Sequence, residues 1–226
     1  MGLYDAKVQD ILANAERYHD AFLQAETFGG PSLYFHQRAL ATRTEPASDT
    51  HLEYVYATLA SWGMHRMGQG GSKMRPFDAF RASVRRMEGD IRAAQALTPE
   101  GMTEEGWSLL GGIFLGLDIM ASRTRLVGNS KVMHHMIPGL VPPIDREYTL
   151  RYLKGNTNIA NDPAAEWRTM RSMIEGFFVP VALDAAFAAR AAGWVADAGL
   201  QWDSSPMKVV DNLIIGARKV SGSRGR

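Results

Sequence analysis

Leu126-Val-Gly-Asn-Ser-Lys-Val-Met-His-His-Met-Ile-Pro-Gly-Leu-Val-Pro-Pro-Ile-Asp-Arg-Glu-Tyr148 is the stretch on which the reading of this chain turns. A loop from Arg123 leads through Leu126-Val127-Gly128 into a short helix expected from Ser130, which puts Lys131 in its first turn. Pro138-Gly139 ends that helix, Pro142-Pro143 enforce an extended segment, and Asp145 tops the next helix. A lysine in a first helical turn faces the positive end of the dipole, which lowers its pKa. A less protonated amine is what a nucleophilic lysine requires. Two prolines fix the approach of the Asp145 carboxylate, as a positioned site residue needs, and the same position suits a plain helix N-cap.

Working outward, nearly every other segment reads as helix. Val8, Ile11, Leu12, Ala15, Phe22 and Leu23 form a stripe of helical period over about Tyr4 to Thr27, stopped by Gly29 and Gly30. Pro31 opens a second helix, and Ser48 or Asp49 caps a third carrying Leu52, Val55, Leu59 and Trp62. Phe77, Phe80, Val84, Met87, Ile91 and Ala94 predict one continuous helix after Pro76, with Arg81, Arg85 and Arg92 on a neighbouring face. Thr98-Pro99 and Thr103 are helix starts before a buried helix through Trp107, Ile113 and Leu117. Asp162-Pro163 opens a helix to about Phe178, Pro180 breaks or kinks it, an alanine-rich helix reaches Gly199, and Ser205-Pro206 starts the last helix. Strand signals are nearly absent. The expectation is an all-α, single multi-helix domain over residues 1–220, with 221–226 a disordered basic tail.

Composition narrows the function classes. The 226 residues, 46% hydrophobic and 22% charged, are those of an ordinary globular chain. No apolar run reaches the roughly 20 residues needed to cross a bilayer, and the acidic, amphipathic N-terminus does not read as a signal peptide. Zero cysteines remove disulfides, thiolate catalysis and sulfur-ligated metal, and fit a cytoplasmic location. The net charge of +1 carries no partner by itself.

With its residues quoted, the central stretch resembles the helix-hairpin-helix DNA glycosylase superfamily. Leu126-Val127-Gly128 is similar to the end of the hairpin, Lys131 to the lysine of the bifunctional members, and Asp145 to the aspartate that follows a Val-Pro-type segment. The resemblance covers roughly 25 residues plus the all-helical character; Arg123-Thr124-Arg125 stands where a Pro-Gly turn is usual, and the interval from Lys131 to Asp145 is shorter by about one helical turn. It implies a glycosylase-like fold and double-stranded DNA as partner. It further implies that Lys131 attacks the sugar carbon to form a Schiff base and that Asp145 stabilises the developing sugar cation. Amides around Gly128, Asn129 and Ser130 would hold a phosphate, flanked by Arg123 and Arg125, with no cofactor. A flipped base would meet Trp62, His135 and Tyr148.

Other candidates are weaker. His134 and His135 point about 100° apart on a helix and cannot jointly hold one metal. Gly68-Gln-Gly-Gly-Ser-Lys73 fails the spacing of a phosphate loop and no strand precedes it. Trp62-Gly-Met-His65-Arg66 sets an aromatic, a histidine and a cation beside that loop, suited to stacking on a base or lining a cleft. Two alternatives stand beside a DNA-associated glycosylase type, active or degenerate. A non-enzymatic interaction module would expose a large apolar patch. A small-molecule enzyme would enclose the histidines in a closed pocket.

Overall fold

The computed structural model describes residues 2–25, 30–65, 67–68 and 71–223. The described chain is overwhelmingly helical. In order, α1 spans Asp5–Ala13, α2 Ala15–Ala25, α3 Pro31–Ala41 and α4 Asp49–Leu59. A two-stranded ribbon, β1 (Met67–Gly68) and β2 (Gly71–Ser72), separates these from α5 (Phe77–Arg86), α6 (Glu88–Gln95) and α7 (Glu104–Gly116). The remaining helices are α8 (Leu126–Met136), α9 (Arg151–Lys154), α10 (Pro163–Met173), α11 (Val179–Leu183), α12 (Ala185–Ala196) and α13 (Pro206–Ser223).

The starts follow side-chain chemistry. Ser48, Thr103, Asp162 and Ser205 each accept a hydrogen bond from the backbone N–H three residues on, satisfying amides that the first turn leaves without partners. Several expected boundaries shift. The first expected helix is two, because Asn14 turns its amide back onto the Asp10 carbonyl at 2.9 Å, competing with the helix backbone. Residues Glu26, Thr27 and Gly29, where its end was expected, lie outside the described residues, as do Arg66, Gln69 and Gly70. A second break falls at Met87, between α5 and α6. Pro180 does not end its helix. Ile174–Phe178 form a wider turn running straight into α11, and the bend of 83° comes at Asp184, which caps α12. The last helix continues to Ser223, into the segment expected to be a tail.

Helix α8 lies at the centre, with every residue except Val127 buried, against α3, α4, α7 and α10. Around it the long α13 lies along α2 so closely that any side chain at Gly216 would sit 1.8 Å from the Tyr18 carbonyl oxygen. No single described helix is long and apolar enough to cross a membrane.

Candidate functional site

Helix α8 starts earlier than its sequence suggests. Leu126, Val127 and Gly128 are its first turn rather than a loop, so Lys131 lies beyond that turn. The cause is Glu166 on α10. Its buried carboxylate accepts the Arg125 and Leu126 amides at 2.7 and 2.6 Å and caps the helix from outside. An anion-binding helix end is therefore filled by the protein's own carboxylate. The Asn129 amide donates to the Arg125 carbonyl, and the Asn129 side chain donates to the Phe114 carbonyl at 2.7 Å. Of the phosphate cradle expected around Gly128, Asn129 and Ser130, Asn129 therefore has its backbone and side-chain amides both engaged within the fold. Arg125 is committed as well, its guanidinium holding the Leu115 and Leu117 carbonyls, while Arg123 is exposed.

Ser130 has a different task. It donates to Val127 and accepts from the Ile144 amide at 3.1 Å, pinning the Pro142-Pro143 segment to α8. One residue later comes Asp145. Its Oδ1 caps the next turn by accepting from Glu147 and Tyr148, and Thr149 Oγ1 accepts from its amide. Its Oδ2 lies 3.7 Å from Lys131 Nζ. The Asp145 carboxylate is thus both cap and counter-charge.

The Lys131 side chain is only 8% exposed. Its nearest carboxylate oxygen is beyond hydrogen-bond range, and the Trp62 ring centre lies 5.4 Å from Nζ. Burial pulls the amine's pKa down, and Asp145 and Asp211 pull it part of the way back. The expected direction is right but its source is burial, since Lys131 has left the first turn.

Two cavities of about 430 Å³ each meet at this pair, sharing Trp62, Gly63, Lys131 and Asp145. Trp62 reaches this boundary because the chain leaves α4 through a non-helical turn with Gly63 at φ +75°, a conformation that favours glycine. The inner cavity is walled by Phe22, Trp62, Tyr148, Trp202 and Ile215 and carries Lys208 and Asp211. The outer one is edged by Lys73, Ser122, Thr124, Gly128 and Arg146.

Behind the inner cavity runs a buried polar chain. His19 bonds Asp203 at 2.7 Å, Asp203 accepts from Asn212 at 2.7 Å, and Lys208 donates to both Asn212 and Asp211, the latter at 3.0 Å. Burial raises the Asp211 pKa, opposed first by Lys208. Sequence reading missed Lys208, Asp211 and Trp202. The signal for the first two was a charged i, i+3 pair inside the largely apolar run 207–215.

Beneath Lys131 lies a histidine floor. His135 Nδ1 sits 2.7 Å from the Lys131 carbonyl oxygen, so that nitrogen carries the proton and Nε2 accepts. His36 Nδ1–H then donates to His135 Nε2 at 3.0 Å, leaving His36 Nε2 to accept from Ser204 Oγ at 3.1 Å. Burial holds both rings neutral, with pKa values well below the usual 6.5. His135 is therefore a support under the lysine and not a wall of either cavity. His65 is exposed and bonds Ser72 at 3.0 Å, away from the pair. Of the expected site residues, Lys131, Asp145, Trp62 and Tyr148 are brought to the inner cavity and Gly128 to the outer one. Among the described residues, no group of three or more histidines and acids is placed to hold a metal.

Compared with protein-family models, curated proteins and solved structures, the chain finds no match. The fold and site define an all-helical protein with a buried lysine beside a partly exposed aspartate at the junction of two cavities.

Proposed function

We propose that the protein is a glycosylase and lyase of the base-excision type, acting on a nucleotide turned out of its strand, with Lys131 as nucleophile and Asp145 as its partner. The observation that carries this reading is a buried lysine amine that lines both cavities, 3.7 Å from a fixed carboxylate and, among the described residues, without an acceptor closer than that. Its lone pair attacks C1′ of the sugar. The C1′–N bond to the base breaks, and the base leaves with that electron pair and takes up a proton. Nζ gives its own proton to Asp145, the sugar ring opens with a proton to O4′, and a C1′=N Schiff base results. A C2′ proton is then lost to water, the C3′–O bond breaks with the 3′ phosphate leaving on its electron pair, which is the lyase step, and water hydrolyses the Schiff base. The lowered lysine pKa favours the neutral amine that attacks, and the carboxylate stabilises positive charge on the sugar.

The inner cavity suits a base in its aromatic walls. Phosphates would meet Lys73 and Arg146 at the outer cavity and the exposed Arg123, since the end of α8 is occupied by Glu166. Ion pairs with Asp49, Asp78, Glu88 and Asp118 occupy Arg75, Arg81, Arg85 and Arg92, so these form no free basic strip. Nothing favours the small-molecule reading, whose histidines would face the pocket. The exposed large apolar side chains among the described residues are Leu3, before α1, and Leu23, Tyr34, Leu115, Leu183 and Val195, one on each of five helices, and no continuous apolar run of sequence joins them.

The test is borohydride trapping on oligonucleotides bearing an abasic site, single-stranded and duplex, with Lys131→Ala alongside. A covalent adduct that Lys131→Ala abolishes is expected. An adduct that survives the substitution, or no adduct with either strand form, overturns the reading.

A further inference from the structure

We propose that the inner cavity selects bases with a lactam edge, a ring N–H beside a carbonyl, and that Asp211 and Lys208 are the residues that read it. The link to catalysis rests on the glycosylase reading; the binding preference does not.

Both residues are on α13, both are only 4% exposed, and both line the cavity. Lys208 Nζ has three protons. Two are directed to Asp211 Oδ2 and Asn212 Oδ1, leaving one for a ligand. Asp211 uses Oδ2 for that ion pair, and among the described residues its other oxygen accepts no hydrogen bond. The cavity thus offers one cationic donor beside one anionic acceptor, on an aromatic and aliphatic wall. A carbonyl oxygen, with two lone pairs, answers the ammonium, and the adjacent ring N–H answers the carboxylate. Both bonds are charge-assisted and made to side chains that are themselves buried. Uracil, thymine, hypoxanthine and guanine carry this edge. Adenine and cytosine reverse it, with the donor on the exocyclic amine and the acceptor in the ring. Entering the same way round, they set an amine against the ammonium and a ring nitrogen against the carboxylate. Two buried groups are then left unpaired, and sites built on hydrogen bonds discriminate strongly on that basis.

Trp62 and Trp202 supply the readout, since a base against these rings quenches their fluorescence. The 2′-deoxynucleosides of hypoxanthine, uracil, adenine and cytosine would be titrated into the intact protein, the sugar removing the N1–H that gives free cytosine a lactam edge of its own. Saturable quenching by the hypoxanthine and uracil nucleosides is expected at concentrations at least tenfold below those needed for the adenine and cytosine nucleosides. Asp211→Asn should remove that preference. Equal binding of all four bases, no saturable binding of any, or a preference that survives in folded Asp211→Asn overturns the proposal. The comparison among bases needs no variant, so it holds even if Asp211→Asn fails to fold. Lactam binding without trapping would keep the base pocket and sink the glycosylase reading; trapping without base preference would do the reverse.

Discussion

Acidification from pH 7.5 to pH 5 should remove about 4 kcal/mol of folding stability through two histidines alone. His134 on α8 and His51 on α4 are fully buried. His134 Nδ1 bonds the Val141 carbonyl and His51 Nδ1 the Ala39 carbonyl, while the Nε2 atom of each is buried without a partner among the described residues. A proton arriving there has nothing to donate to. Burial, the first cause in each case, depresses His134 to about 3 and His51 to about 4, from 6.5. With the folded values depressed, the unfolded chain binds more protons below 6.5. The stability is therefore complete above that pH and is lost as the pH falls toward the folded values. Dropping 1.5 units below 6.5 costs about 2 kcal/mol per histidine at about 1.4 kcal/mol per unit. Typical folding stability is roughly 5–15 kcal/mol, so the loss is a large share of it. His36 and His135 act in the same direction. The raised pKa values of Glu166 and Asp211 act oppositely, as those carboxyls begin to take up protons.

Urea midpoints at pH 7.5, 6 and 5 measure this, with His134→Phe as the matched variant. That ring cannot titrate, so its stability should fall by about 2 kcal/mol less over the same range, whatever it loses at pH 7.5 by giving up the Val141 bond. A parent protein whose stability is flat between pH 7.5 and 5, or a variant with the parent's slope, would refute the reasoning.

Three further outcomes follow from the same geometry. Lys131→Met should abolish trapping and leave stability unchanged or raised by about 1 kcal/mol, because Asp145 is partly exposed and keeps its cap when the lysine goes; a loss above that size in a urea melt would mark Lys131 as a structural lysine. Asp145→Asn should keep the cap, since asparagine also accepts from the Glu147 amide, and should lower the Lys131 pKa by removing the charge that raises it. Its trapping should be slower throughout, for want of the carboxylate, with the acid limb at lower pH than the parent's; an undiminished rate or an acid limb moved upward contradicts the pairing. Gly216→Ala should cost on the order of 1–3 kcal/mol in thermal or urea unfolding, because the new Cβ meets the Tyr18 backbone and not a side chain that can move; an unchanged midpoint would mean α2 and α13 are not so closely apposed.

What was legible in the sequence is what is local. Ser48, Thr103, Asp162 and Ser205 announce their helices because a cap is written within four residues. Pro142-Pro143-Ile144-Asp145 announces a fixed carboxylate for the same reason. Asn14 and Met87 are not legible, because each breaks a stripe whose apolar period continues across the break. The start of α8 is set by Glu166, far along the chain, and no local pattern predicts a cap supplied by another helix. Lys208 and Asp211 were hidden by the Val209, Val210, Leu213 and Ile214 that surround them. An apolar helix facing a core and one facing a cavity have the same periodicity, and only the packing of α13 against α2 decides between them.

The contrast between two lysines says most about what this cleft is for. Lys131 and Lys208 are both more than nine-tenths buried and both line the inner cavity. Lys208 has an aspartate at 3.0 Å and an asparagine beside it, tied in turn to Asp203 and His19. The fold is thus able to satisfy a buried ammonium where one is needed. Lys131 is built otherwise. Its carboxylate is held at 3.7 Å, fixed there by its duty as a cap and by Ser130 pinning the segment before it. Burial without full pairing costs stability, and methionine would fill the same volume without that cost. On the glycosylase reading, a lysine placed on a helix buried at all but one residue, its backbone carbonyl held by a neutral histidine and its amine lining both cavities, is arranged for a bond that the protein does not itself supply.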